Sequence, residues 1–145
     1  MRVPMRSDYG ARAMIDLAQR HGKGLTQSAA IAARQQIPES YLERLLTILR
    51  RAGLVRSVRG PSGGHELARL ASSITLGDVW DALEGSQTMG TCLDQEGSCT
   101  VSPACALQDV WRDLETTTHR ILHAVTIAEL AQRQAERGAR SMYHI

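Results

Sequence analysis

The sequence predicts a mainly α protein: a winged helix-turn-helix domain with a two-stranded wing, followed by a long C-terminal dimerisation helix. Three observations predict this. Apolar residues recur at helical spacing in three successive segments before Gly53. A β-branched, alternating run then meets a Gly-Pro-Ser-Gly-Gly turn. Further on, apolar residues return at three- and four-residue steps over residues 107–125.

Residues 7–19 read as a first helix, with Ala13, Met14, Leu17 and Ala18 on its buried stripe. Gly22-Lys23-Gly24 ends it. Thr26 reads as the N-cap of a short Ala-rich helix over 27–34. After a brief turn, Pro38 suits the start of a third helix over 39–52. Its apolar face is Leu42, Leu45, Leu46 and Leu49, and Gly53 stops it. Residues 54–59 then form a strand, 60–64 a turn, and 65–69 the return strand. Thr75 and Asp78 make a T-x-x-D capping box that opens a fourth helix over 76–84, closed by Gly85. Residues 86–103 show no periodicity. A long helix is expected from about 104 to 123, carrying Leu107, Val110, Trp111, Leu114, Ile121 and Leu122, with Val125 just beyond. Thr126 and Glu129 form a second capping box for a last helix that fades near Gly138. The expected organisation is a DNA-binding domain over 1–85, a cysteine-containing segment over 86–104, dimerisation helices over 105–137, and a disordered tail over 138–145.

Composition agrees with this architecture. Of 145 residues, 43% are hydrophobic and 22% charged, which is globular rather than disordered. Only 3% are aromatic, so the core must be filled by Leu, Ile, Val and Ala. No apolar run approaches the roughly 18 residues needed to span a membrane, and residues 1–7 lack the apolar core of a signal peptide. A cytoplasmic location is therefore expected. The net charge of +2 is unevenly placed. Residues 1–70 hold 12 basic and 5 acidic residues, whereas residues 71–145 hold 5 and 10. A basic first half suits a polyanion such as DNA.

The third helix is the candidate recognition helix, since a major groove admits one helix and its N-terminal residues reach base edges. Ser40 there donates or accepts hydrogen bonds, and Tyr41 is placed to hold a phosphate. Glu43 either accepts from a cytosine amino group or is an ordinary solvated charge. In the wing, Arg56 and Arg59 flank the tip residues Pro61, Ser62 and Gly63. Small residues let the backbone approach a sugar-phosphate chain, and Arg59 suits a narrow minor groove. Without DNA, the same tip reads as an ordinary Gly-rich hairpin turn.

Cys92, Cys99 and Cys105 are spaced C-x6-C-x5-C. An odd thiol count in a cytosolic chain argues against a disulfide framework. Thiolates select zinc, copper(I) or iron–sulfur clusters, and the positive end of a helix dipole favours a thiolate at Cys105. Paired C-x2-C zinc ligands do not occur, so a cluster, a zinc site, reactive thiols and unliganded cysteines all stay open. A fourth ligand is not evident from spacing. His119 and His123 lie far along the long helix and read as surface or interface residues. Asp8 is a carboxylate that reaches the segment if the first helix packs against it. Otherwise it is an N-terminal helix charge favoured by the dipole.

Several stretches together resemble the Rrf-two superfamily of bacterial winged-helix regulators, its IscR-like branch in particular. They are Tyr41-Leu42-Glu43, Gly53-Leu54-Val55, and Ser57-Val58-Arg59-Gly60-Pro61 with Gly63-Gly64. The three-cysteine segment and Trp111-Arg112-Asp113-Leu114 complete the set, and the similarity runs from Met1 to about Leu130. The resemblance implies a homodimeric transcription factor with crossing C-terminal helices. It also implies an iron–sulfur cluster, [4Fe–4S] or [2Fe–2S], held by Cys92, Cys99 and Cys105, with Ser40, Glu43, Arg59 and Pro61 meeting a double-stranded operator. The IscR-like pattern has C-x5-C-x5-C and a His three residues after the last Cys. Here one residue is inserted and Gln108 stands in that place. Asp8-Tyr9-Gly10 is similar to the nitric-oxide-sensing NsrR-like branch, where an Asp at the matching position in the partner subunit completes a [4Fe–4S] site.

The leading expectation is thus a cluster-dependent DNA-binding regulator of cluster supply, iron, oxygen or nitric oxide. The alternatives are a zinc- or thiol-based sensor on the same fold, or a regulator acting through a protein partner. An enzyme is not expected, because no Ser/His/Asp grouping, phosphate-binding Gly loop or metal-hydrolase motif is present.

Overall fold

A computed structural model describes residues 2–85, 93 and 104–143. Along the chain lie α1 (Met5–Gln19), α2 (Ser28–Gln35), α3 (Glu39–Arg51), β1 (Val55–Val58) and β2 (Gly64–Leu67). A 3-10 turn (Ala71–Ser73), α4 (Leu76–Glu84), α5 (Leu107–Ala124) and α6 (Ile127–Met142) follow. The winged helix-turn-helix expected from the sequence is the observed fold.

The core lies where the periodic apolar faces meet. Ala13 and Met14 of α1, Ile31 of α2, Leu42, Leu46 and Leu49 of α3, and Val79 of α4 are all essentially inaccessible to solvent. The Leu face of α3 points into this core, so its other side faces out. Helix α3 ends as its sequence demands. Gly53 takes φ 76°, its N–H donates to Arg50 O at 3.0 Å, and the Leu54 N–H donates to Leu49 O at 3.0 Å. This is a Schellman motif, in which glycine tolerates the left-handed turn and Leu54 closes the apolar contact. The chain then enters the wing, where β1 and β2 pair antiparallel with Val55 opposite Leu67 and Ser57 opposite His65.

Both expected capping boxes form. Thr75 Oγ1 accepts from the Asp78 N–H at 3.0 Å, and Thr126 Oγ1 accepts from the Glu129 N–H at 3.2 Å. The two caps lie side by side. The Leu76 N–H donates to Val125 O at 2.9 Å and the Ile127 N–H to Ile74 O at 2.8 Å. Ile74 and Ile127 are fully buried there, each such burial contributing about 1.5–3 kcal/mol. Helix α6 thereby joins the hydrophobic core built by α1–α4 and packs on α1, with Gln19 Nε2 donating to Ala131 O at 3.3 Å.

Two expectations are corrected. Thr26 is not the cap of α2; Gln27 is, without a side-chain cap bond. Thr26 instead bridges to the wing, its N–H donating to His65 O at 2.9 Å and its carbonyl accepting from the His65 N–H at 2.8 Å. The expected disordered tail is helical as far as Met142. Gly138 costs about 1 kcal/mol in a helix interior, but Ala135, Glu136, Arg137, Ala139 and Arg140 around it are strong helix formers and the cap fixes the start. Among the described residues, no helix is long and apolar enough to cross a membrane.

Candidate nucleic-acid interface and cysteine segment

The starts of α2 and α3 and the wing converge on one face. Ser28 Oγ donates to Glu43 Oε1 at 3.3 Å, and Gln27 Nε2 donates to Pro61 O at 3.4 Å. A shallow groove between them is lined by Gln27, Ser28, Glu39, Val58 and Gly63, among others. Ser40 and Glu43 are exposed on the outer side of α3. Tyr41 is half-buried: its ring meets Tyr9 edge-on at 5.9 Å, and the Arg44 guanidinium lies 5.7 Å from its centroid. Tyr41 thus contributes packing between α1 and α3 as well as a phenol at the surface.

In the wing, Arg56 pairs with Glu66 on the facing strand, Nε to Oε1 at 2.7 Å, yet its side chain stays 65% exposed. Arg59 is exposed, and no hydrogen bond or ion pair engages its side chain among the described residues. Pro61 and Ser62 are exposed at the tip. Gly63 is buried beneath it, its N–H donating to Gly60 O at 2.9 Å. A Cβ on Gly63 would overlap the Val58 carbonyl, so the tight tip requires glycine there. His65 anchors the wing to the domain. Its backbone bridges to Thr26, and its Nδ1 lies 2.7 Å from Ser57 Oγ. Partial burial holds its imidazole below the ordinary histidine pKa; Glu43 opposes this shift and Arg50 adds to it.

The cysteine segment starts at a well-defined place. Glu84, the last residue of α4, accepts hydrogen bonds from Arg6 Nε at 2.8 Å and from Ser7 Oγ. Burial pushes the Glu84 carboxyl pKa up, but the hydrogen bonds from Arg6 and Ser7 outweigh it and hold the group below its usual value. Asp8 is the residue after Ser7. It is half-exposed in the first turn of α1, its Oδ2 lying 3.4 Å from Arg12 Nη1. The end of α4 thus meets α1 at Arg6 and Ser7, just before Asp8 in sequence. Cys92 and Cys99 lie outside the described residues. Cys105 is a free, half-buried thiol just before α5, and its carbonyl accepts from the Gln108 N–H at 3.3 Å.

Helix α5 packs on α4 but buries none of its residues. Leu107, Val110, Trp111, Leu114 and Ile121 stay exposed, Leu107 and Ile121 at 57%. His123, read from the sequence as a surface or interface residue, is an intrachain tie. Its Nδ1 is 3.2 Å from Thr75 Oγ1 and its Nε2 is 3.0 Å from Asp81 Oδ2. Sequence reasoning also passed over Asp16, which is buried and bonded to Arg34, and over the anchoring role of His65. An acidic residue next to the apolar stripe of α1 was the available signal for Asp16.

Comparison with known proteins extends the picture. The family model for Rrf2, described as an iron-dependent transcriptional regulator, matches residues 4–133. The chain is similar to the HTH-type transcriptional regulator IscR of Yersinia enterocolitica. They share 40% identity over 134 residues, covering 92% of this chain and 81% of the relative. The IscR of Serratia proteamaculans matches to the same degree. Among solved structures, T. potens IscR aligns with a TM-score of 0.75 at 35% identity, covering 94% of this chain and 90% of that one. CymR, the global cysteine regulator of B. subtilis, aligns with a TM-score of 0.76 at 34% identity, covering 92% and 98%.

Proposed function

Because the chain belongs to the Rrf2 family of transcriptional regulators, we propose that it is a homodimeric operator-binding protein whose cysteine segment holds an iron–sulfur cluster. The observation that carries the DNA-binding part is the shared face of α2, α3 and the wing, with Arg59 unpaired among the described residues and a glycine-built tip beside it. Ser40 and Glu43 enter a major groove, with Tyr41 at its edge, while Arg59 reaches the neighbouring minor groove. Pro61, Ser62 and Gly63 bring the backbone close to the sugar-phosphate chain. Arg56 keeps enough open guanidinium surface for a phosphate. The apolar stripe of α5, bare in one chain, is the surface on which a second copy packs, pairing two recognition helices with two half-sites.

Cys92, Cys99 and Cys105 would hold the cluster. The donor set fits it: three soft thiols, one of them free and half-buried at Cys105, with the half-exposed Asp8 carboxylate one residue beyond the Ser7–Glu84 contact at the end of α4. Asp8 completes the set, within the chain or as the partner subunit's Asp8. When bound, such a cluster supplies sensitivity to iron supply, oxygen and nitric oxide. The chain's own part would be to hold it through residues that lie between α4 and α5 in sequence, with the end of α4 itself tied to α1 through Arg6 and Ser7. We place this action in the cytoplasm.

The test is anaerobic purification with iron and sulfide present, followed by visible absorbance, iron and sulfide analysis, and salt-dependent operator binding. A brown protein with stoichiometric iron and sulfide is expected. Replacing any one of the three cysteines by Ala should bleach it, and Asp8→Ala should leave a cluster that is lost faster to chelator. A colourless protein without sulfide would overturn the cluster reading in favour of a zinc- or thiol-based sensor. Absence of salt-dependent operator binding at any salt concentration would overturn the DNA-binding reading in favour of action through a protein partner.

A further inference from the structure

Asp81 of α4 and His119 and His123 of α5 bring three ligand atoms within 4.8 Å of one another. His119 and His123 are one turn apart and share a face of α5. Their rings lie 4.1 Å apart at 30°. His123 Nε2 sits 3.0 Å from Asp81 Oδ2, while its Nδ1 sits 3.2 Å from Thr75 Oγ1. Asp78 Oδ1 lies 3.9 Å from the same Nδ1 and adds negative charge behind the ring. Gly77 of α4 provides the seat, since a Cβ there would overlap the His123 imidazole. Apart from its bond to Thr75, His123 thus presents Nε2 to the Asp81 carboxylate, with the His119 ring stacked against its own.

The geometry points to a Zn2+ site formed by Asp81, His119 and His123, clasping α4 of the DNA-binding domain to α5. Two imidazoles and one carboxylate suit Zn2+ and offer too few oxygens for Mg2+ or Ca2+. A tetrahedral ion with bonds of about 2.0–2.1 Å needs ligand atoms roughly 3.3 Å apart. Asp81 and His119 are exposed and can rotate to close the remaining distance. Three protein ligands leave the fourth position to water. With the ion on Nε2, the His123 Nδ1–H donates to Thr75 Oγ1, the kind of outer bond that fixes ring orientation and tautomer. Among the described residues, which include Cys105, no thiol belongs to this set. Its ion would link the fold around the recognition helix to the exposed helix.

The test uses the full chain with Cys92, Cys99 and Cys105 replaced by Ser, stripped with chelator and titrated calorimetrically with ZnCl2 at neutral pH. One Zn2+ per chain is expected. Asp81→Asn or His119→Ala should each weaken binding at least about tenfold, while His21→Ala should not. Should the cysteine-free chain lose its helical circular dichroism, the unsubstituted chain is titrated with Co2+ instead. Ligand-field bands that survive Cys105→Ser and vanish in His119→Ala support the site. Binding that is absent, or equal in parent and His119→Ala chains, overturns it, as does a Co2+ spectrum carrying only thiolate charge-transfer bands. Loss of the brown chromophore bears on the cluster alone and leaves the Zn2+ stoichiometry unaffected.

Discussion

Asp16 and Arg34 meet in a two-pronged ion pair, Oδ1 to Nη2 at 2.6 Å and Oδ2 to Nε at 2.8 Å, with the Asp16 side chain only 3% exposed. The bonds join α1 to α2, and Gln35 Nε2 adds a third to the same carboxylate at 3.1 Å. Arg12 donates to the Gln35 carbonyl from the next turn of α1. The carboxylate holds the Arg34 guanidinium pKa above its usual value, chiefly through these hydrogen bonds. A buried carboxylate without such partners would be costly, so the pair sets how α2 sits on α1.

Asp16→Ala should therefore destabilise the fold by about 3 kcal/mol, because it strips a buried network of its centre. Arg20, which approaches Asp16 only at 3.8 Å and is 41% exposed, is a peripheral partner. Arg20→Ala should cost less than about 1 kcal/mol. Urea unfolding of both variants checks the contrast, and equal losses would remove Asp16 from its anchoring role.

His65 gives a pH dependence with a defined sign. Its pKa in the folded protein lies below the unfolded value of about 6.5. The unfolded chain therefore binds the proton more readily. Stability from the neutral imidazole is complete above that value and is lost as pH falls through the folded pKa. An NMR titration should find His65 titrating below the ordinary range, and His65→Gln should flatten this part of the stability profile. A His65 that titrates at or above its unfolded value contradicts the argument.

Arg59→Ala should weaken operator binding and reduce the slope of log affinity against log salt by about one unit. Fluorescence anisotropy at several salt concentrations measures both quantities. Unchanged slope and affinity would take Arg59 out of the interface.

Glu43 makes a sharper distinction. If it accepts from a cytosine, Glu43→Ala should relax specificity at one symmetric pair of operator positions by about 1–3 kcal/mol. A Glu43 engaged only with Ser28 would, when removed, strengthen binding to all sequences alike through the loss of a negative charge near phosphate. Selection from randomised sites separates the two outcomes.

Locally encoded features were legible in the sequence. The Schellman end of α3, the Thr75–Asp78 and Thr126–Glu129 caps, the Leu face of α3 and the glycine-built wing each depend on residues a few positions apart. Such signals survive in a single sequence because the interacting groups share one turn of helix or one hairpin. The exposure of Ser40, Glu43, Arg59, Pro61 and Ser62 follows from them, since an apolar face turned inward leaves the opposite face outward.

The sequence by itself therefore determined the order of elements and which face of each is apolar. Only the tertiary structure decided what those faces meet. It gave α6 to the core built by α1–α4 through the contact of Ile127 with Ile74, drew Thr26 from a helix cap into a bridge with His65, and carried helix to Met142. It also joined Asp16 to Arg34, Glu84 to Ser7, and Asp81 to His123 across 42 positions. No periodicity encodes these meetings. Each joins separate elements, and which groups come together is settled by how apolar faces and buried charges are satisfied at once across the whole fold.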